Sequence, residues 1–186
     1  MESRTQPLKL RTLAEGLPGA SFRERHDRVI DASPARVWDA LLALRWGDLR
    51  LTAPLLVVRG LADPRTGRRS MLREGPVVAV QVEPEARWVG VRIGQPWRPV
   101  PTLAPDPAGL EELRAFDEPG WLKFGMEFLL QPLADGRTVL TTTTLCEATD
   151  QAAHRKFARY WRLIEPFSGL IRIDMLAAVA RRCRGT

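Results

Sequence analysis

The sequence predicts an α+β domain in which a long C-terminal helix lies against a curved antiparallel sheet. Two patterns carry that prediction. From Phe157, residues Trp161, Ile164, Ser168, Ile171, Met175 and Ala178 recur at alternating spacings of four and three, which keeps them on one helix face. Arg155, Lys156, Arg159, Arg162, Arg172, Arg181 and Arg182 read as the solvated side. The second pattern is period-two alternation in several stretches before that helix, the clearest being 121–131 and 137–147, joined by the hairpin signal Asp135-Gly136.

At 186 residues the chain is long enough to bury one core without disulfides or metals. Hydrophobic residues at 45% and charged residues at 27% argue against wholesale disorder. The net charge is +6, yet arginines are scattered among acids with no dense basic run, so nucleic acid is not an expected partner. Cys146 and Cys183 sit in no CxxC or Cys/His pattern, and His26 and His154 are equally isolated. Two reduced thiols, no metal and no cofactor are expected. The first residues hold no apolar core of a secretory signal, and no run approaches the ~20 apolar residues of a membrane span, so a cytoplasmic protein is expected.

In chain order, residues 1–20 read as a loose arm and 21–186 as one domain. Alternation from Phe22 to Ile30 predicts a first strand with one exposed face. Ser33 is a good N-cap and Pro34 suits the first helical position, so a helix is expected to about Leu44. The segment 49–61, apolar and interrupted by Pro54, reads as a second short helix or a strand, with a turn at Asp63–Gly67. Strands are expected at 70–73, 77–82, 87–93 and 110–118. Gly94–Gly109, with five prolines, cannot be helix or central strand, and its Trp97 either pins the loop or gates a pocket. Four consecutive threonines, Thr141 to Thr144, suit an extended backbone. Thr149 or Asp150 should cap the last helix, with a kink or short break at Pro166 and Gly169.

The strand followed by "ASPARVWDAL", taken with the long terminal helix, resembles the START-like superfamily, also called the birch-pollen-allergen-like or SRPBCC superfamily. The stretches "IGQPWRP", "EPGWLKF" and "FARYWRLIEPFSGLIRIDML" are similar to a little-characterised bacterial subfamily. The resemblance implies a helix-grip fold: a strand, two short helices, which makes 49–61 the second helix, a run of antiparallel strands, then a Pro-kinked helix gripped by the sheet. It also implies a pocket between sheet and helix.

No GxSxG, P-loop, GxGxxG or HExxH motif is present, so no catalytic residue is assigned. The paired carboxylates Glu111-Glu112 and Asp117-Glu118 lie beside turns and read as solvated. A pocket of the implied kind would be lined by Val91, Trp97, Phe124, Met126, Phe128, Thr141, Thr143, Phe157, Trp161 and Ile164. Arg92, Glu127, Tyr160 and Arg162 are the polar groups expected to enter it. The same aromatic side chains would equally fill a plain core. The expected function is binding of a small hydrophobic molecule such as a lipid or a polyketide-like aromatic. Two alternatives stay open: a cyclase/aromatase- or hydratase-type enzyme using Arg92, Glu127 or Tyr160, and a module whose basic C-terminus touches a protein or a membrane surface.

Overall fold

The computed structural model describes residues 10–52 and 68–185. Local chemistry starts and stops most of its elements, and the sheet then sorts the side chains into two populations. Strands β1 (Phe22–Ile30), β2 (Val78–Glu83), β3 (Arg87–Gln95), β5 (Leu122–Pro132) and β6 (Thr138–Ala148) run in the spatial order β1-β6-β5-β3-β2. The two-residue β4 (Thr102–Leu103) extends the edge by pairing with the end of β3. Every pairing is antiparallel. The β5–β6 hairpin turns at Asp135-Gly136, where Gly136 takes φ +83° at no steric cost and Asp135 Oδ1 accepts from Arg137 N at 3.2 Å.

Helix α1 (Leu13–Gly16) is opened by a capping box in which Thr12 accepts from Glu15 N and Glu15 accepts from Thr12 N. Helix α2 (Pro34–Leu42) starts as its Ser33 cap and Pro34 predict, and a 3-10 turn follows at Trp46–Asp48. Helix α3 spans Leu110–Ala115 and α4 spans Gln151–Arg184. Asp150 caps α4 by accepting from Ala153 N at 2.8 Å, while Thr149 instead bonds the backbone of Trp121.

Several expectations need correction. Residues 10–20 are packed, with Leu13 and Leu17 fully buried, because α1 offers them to apolar side chains on the sheet. The strand expected over 110–118 is helix α3: Leu110 and Leu113, three apart, share its buried side. Ser70 forms an isolated bridge to Arg45 and the residues after it turn, so 70–73 is not a strand. Of the kink or short break expected at Pro166 and Gly169, the break is absent: α4 runs on with Pro166 inside it. The helix assigned to 49–61 and the turn at 63–67 lie mainly or wholly outside the described residues.

Register fixes which side chains share a face. One face, called inner here, carries Phe22, Glu24 and His26 of β1, Trp88 and Arg92 of β3, Phe124, Met126 and Phe128 of β5, and Leu140, Thr142, Thr144 and Cys146 of β6. Helices α2 and α4 cover it. The second half of α4 (Met175, Ala178, Val179) packs with Val37, Leu41, Phe128 and Leu140, and the first half (Phe157, Trp161) packs with Leu122 and Cys146. The outer face holds Val89, Val91 and Ile93 under Leu13, Leu17, Leu110 and Leu113. The sheet is therefore covered on both sides.

The basic end of α4 is tied down. Arg182 meets Asp48 at 2.7 Å, Arg181 donates to the Asp48 carbonyl at 2.8 Å, and the fully buried Asp174 accepts from Leu51 N, Thr52 N and Thr52 Oγ1. Among the described residues no helix is long and apolar enough to cross a membrane.

Candidate functional site

Between the two apolar halves of α4 lies a short polar stretch of the inner face. Because β1 alternates, Glu24 and His26 point the same way as Phe22, toward α4. Glu24 lies opposite Thr144, which lies opposite Met126, and His26 lies opposite Thr142 and then Phe128. Helix α4 crosses these rows at Ser168 to Arg172. A Cβ at Gly169 would stand 2.6 Å from Glu24 Oε1, so any other residue there would have to displace the end of that carboxylate side chain.

Ser168 Oγ donates to Glu24 Oε2 at 2.7 Å, and His26 Nε2 stands 3.4 Å from Glu24 Oε1. Arg172 Nε donates to Thr144 Oγ1 at 3.1 Å, and its Nη1 meets the thioether sulfurs of Met126 at 2.8 Å and Met175 at 3.5 Å. Burial pulls the Arg172 guanidinium below its ordinary pKa, opposed by the nearby charge of Glu24. Burial also pushes the Cys146 thiol up to about 12, with Arg172 opposing, which leaves it protonated and inert at neutral pH.

A cavity of about 410 Å³ opens beside this cluster, between α4, β5 and residues 69–76. Its walls are Trp46, Met71, Pro76, Met126, Ile171 and Met175, with Ser168 and Arg172 as polar points and Arg69 and Glu74 on the loop side. Three methionines give walls that adapt in shape. Among the described residues no group of three or more His, Cys, Asp or Glu is arranged to hold a metal ion.

Of the residues named from the sequence as pocket-lining, Met126 is on this wall. Phe124, Phe157, Trp161, Ile164 and Tyr160 gather with Phe22 in the aromatic cluster under the first half of α4, and Trp97 packs on Phe157 with centroids 6.4 Å apart. Phe128 is fully buried beside Trp88. Arg92 is on the inner face but pairs with Asp106 at 3.3 Å, near the β2 edge. Arg162 is exposed.

Val91, Glu127, Thr141 and Thr143 are on the outer face, because register sends odd-numbered residues of β3, β5 and β6 away from α4. Glu127, Thr141 and Thr143 do come together there, in an open groove of about 520 Å³ with Arg25 and Arg87. That groove is the larger concavity, but its charges already answer one another. Glu127 meets Arg87 at 2.9 Å, Arg25 meets Asp27 at 3.3 Å, and Thr141 donates to Asp27 at 2.7 Å. Burial raises the Glu127 pKa, and Arg87 opposes the shift.

Sequence reasoning missed Glu24, His26 and Arg172 as site residues. A signal for the first two was present, since they share the parity of Phe22 on β1. Arg172 had a weaker one: it stands four residues after Ser168 and three before Met175, both on the apolar stripe.

No family model matches the chain, and no match is found among curated proteins. Among the solved structures similar to it are the following two. A conserved protein from Geobacillus kaustophilus is 13% identical, with 88% of this chain and 95% of that chain covered and a TM-score of 0.38. A protein from Thermus thermophilus is 14% identical, with 87% of this chain and 97% of that chain covered and a TM-score of 0.35.

Proposed function

We propose that this chain is a START-like, SRPBCC-type helix-grip protein that holds a small hydrophobic molecule between α4 and the sheet. The observation that carries the reading is the 410 Å³ cavity walled by Met71, Met126, Ile171 and Met175 with only a few polar points. Its size and its ratio of apolar wall to polar anchor are those of small-molecule sites. A strand, a short helix, antiparallel strands and a long terminal helix follow one another in the order that the resemblance implies. The two unbridged, buried thiols suit a reducing, cytoplasmic setting.

Native mass spectrometry of the purified protein, followed by extraction, tests the reading alongside titration with an uncharged apolar dye. A retained hydrophobe or saturable dye binding is expected, and Ile171→Trp, which fills the cavity, should weaken it. A clean mass together with no dye binding sinks the proposal.

A proton-transfer reaction in the same cavity is the second reading, favoured by the Glu24–His26 pair behind Ser168. His26 does not line the cavity itself, so carriage takes precedence. If the extracted ligand is turned over, His26→Gln must abolish turnover and leave binding in place.

A further inference from the structure

The cavity reading leaves the chemistry of the ligand open, and Arg172 narrows it. A guanidinium has five N–H donors in a rigid fork and is always charged. In this structure those donors meet one threonine hydroxyl and two thioether sulfurs. Sulfur is a weak acceptor and carries no charge. Among the described residues no carboxylate lies within 4 Å of Arg172, whereas Arg87, Arg92 and Arg182 each meet one at 2.9, 3.3 and 2.7 Å. Glu24, the nearby acid, is occupied by Ser168 and His26. The rim residues Arg69 and Glu74 are of opposite sign, so the charge that offsets Arg172 is that of Glu24, which acts on it without contact.

A partly buried guanidinium that touches no carboxylate gains from an incoming anion that supplies one. Carboxylates match the guanidinium fork in geometry as well as charge. We infer that the ligand is an amphiphile with one carboxylate, which pairs with Arg172, and an apolar body that lies on Met71, Met126, Ile171 and Met175. This rests on the cavity being a binding site, and it goes further by fixing the head group and the end of the cavity it occupies.

The test uses decanoate and 1-decanol, two probes of equal chain length that differ at the head, titrated calorimetrically into the full chain at pH 7.5. Wild-type protein should bind decanoate more tightly than decanol. Arg172→Met should weaken decanoate by about 10- to 100-fold, the range expected for a hydrogen bond to a charged group, and leave decanol within about twofold. Arg172→Lys should recover part of the loss, since it restores charge without the fork. Equal binding of the two probes by wild-type protein overturns the inference and leaves the cavity reading standing. Binding of neither probe overturns both. If Arg172→Met does not fold, the wild-type comparison and Arg172→Lys still decide the matter.

Discussion

The two faces of the sheet are covered alike and finished differently. On the outer face Leu13, Leu17, Leu110 and Leu113 close over Val89, Val91 and Ile93, and the surrounding charges meet opposite charges: Lys123 with Glu147 at 2.7 Å, Glu127 with Arg87 at 2.9 Å. On the inner face Thr142 Oγ1 is buried without a hydrogen-bond partner, and Arg172, beside a cavity, meets a hydroxyl and two sulfurs in place of a carboxylate. Polar groups that complete one another stabilise a fold. Polar groups left incomplete beside a void cost stability, and their retention points to something that completes them.

The largest test concerns the parts of the inner face that are filled. Phe128→Ala should lower the unfolding free energy by about 3–5 kcal/mol in urea denaturation, and Leu13→Ala on the outer face by about 2–5 kcal/mol. A negligible effect of Leu13→Ala would remove α1 from the core and with it the symmetry of coverage. A sharper contrast sets Lys123 against Arg172. Lys123→Met removes the counter-charge of Glu147, leaving it only the hydrogen bond from Gly19 N, and should cost about 3 kcal/mol, as broken buried pairs do. Arg172→Met strands no carboxylate and should leave the ligand-free protein within about 1 kcal/mol of wild type, or more stable. Equal losses would erase the distinction between the faces.

A smaller effect is expected from Glu127. Its folded pKa lies above its ordinary value of 4.5, so the folded state binds the proton more tightly than the unfolded state does. Stability from this group is therefore present at low pH and declines as pH rises from 4.5 through the folded value. Denaturation at several pH values should show that decline in wild-type protein and a flatter profile in Glu127→Gln. Smallest of all is the thiol response: with burial raising the pKa of both cysteines, iodoacetamide at pH 8 should label neither in the folded protein and both in urea.

Much of the local structure was legible in the chain. Ser33-Pro34 starts α2, Asp135-Gly136 turns the β5–β6 hairpin, and the alternation of 121–131 and 137–147 yields the two longest strands. The site was far less legible. Val91, Glu127, Thr141 and Thr143 were grouped with the pocket, and Arg172 with solvent, because period-two alternation distinguishes two faces without saying which one a given helix covers. That ambiguity is usually resolved by one face being polar. Here both are covered, α1 and α3 on one side and α2 and α4 on the other, so apolar alternation marks each equally.

Most elements, their order and their turns follow from the residues alone, since capping, glycine conformation and side-chain periodicity act over a few positions. The meeting of Glu24 with Ser168, 144 residues later in the chain, beside the cavity that Arg172 lines, follows from packing. Strand register and the crossing of α4 over Glu24 at Ser168 and Gly169 are properties of paired elements, and neither is written in any one of them.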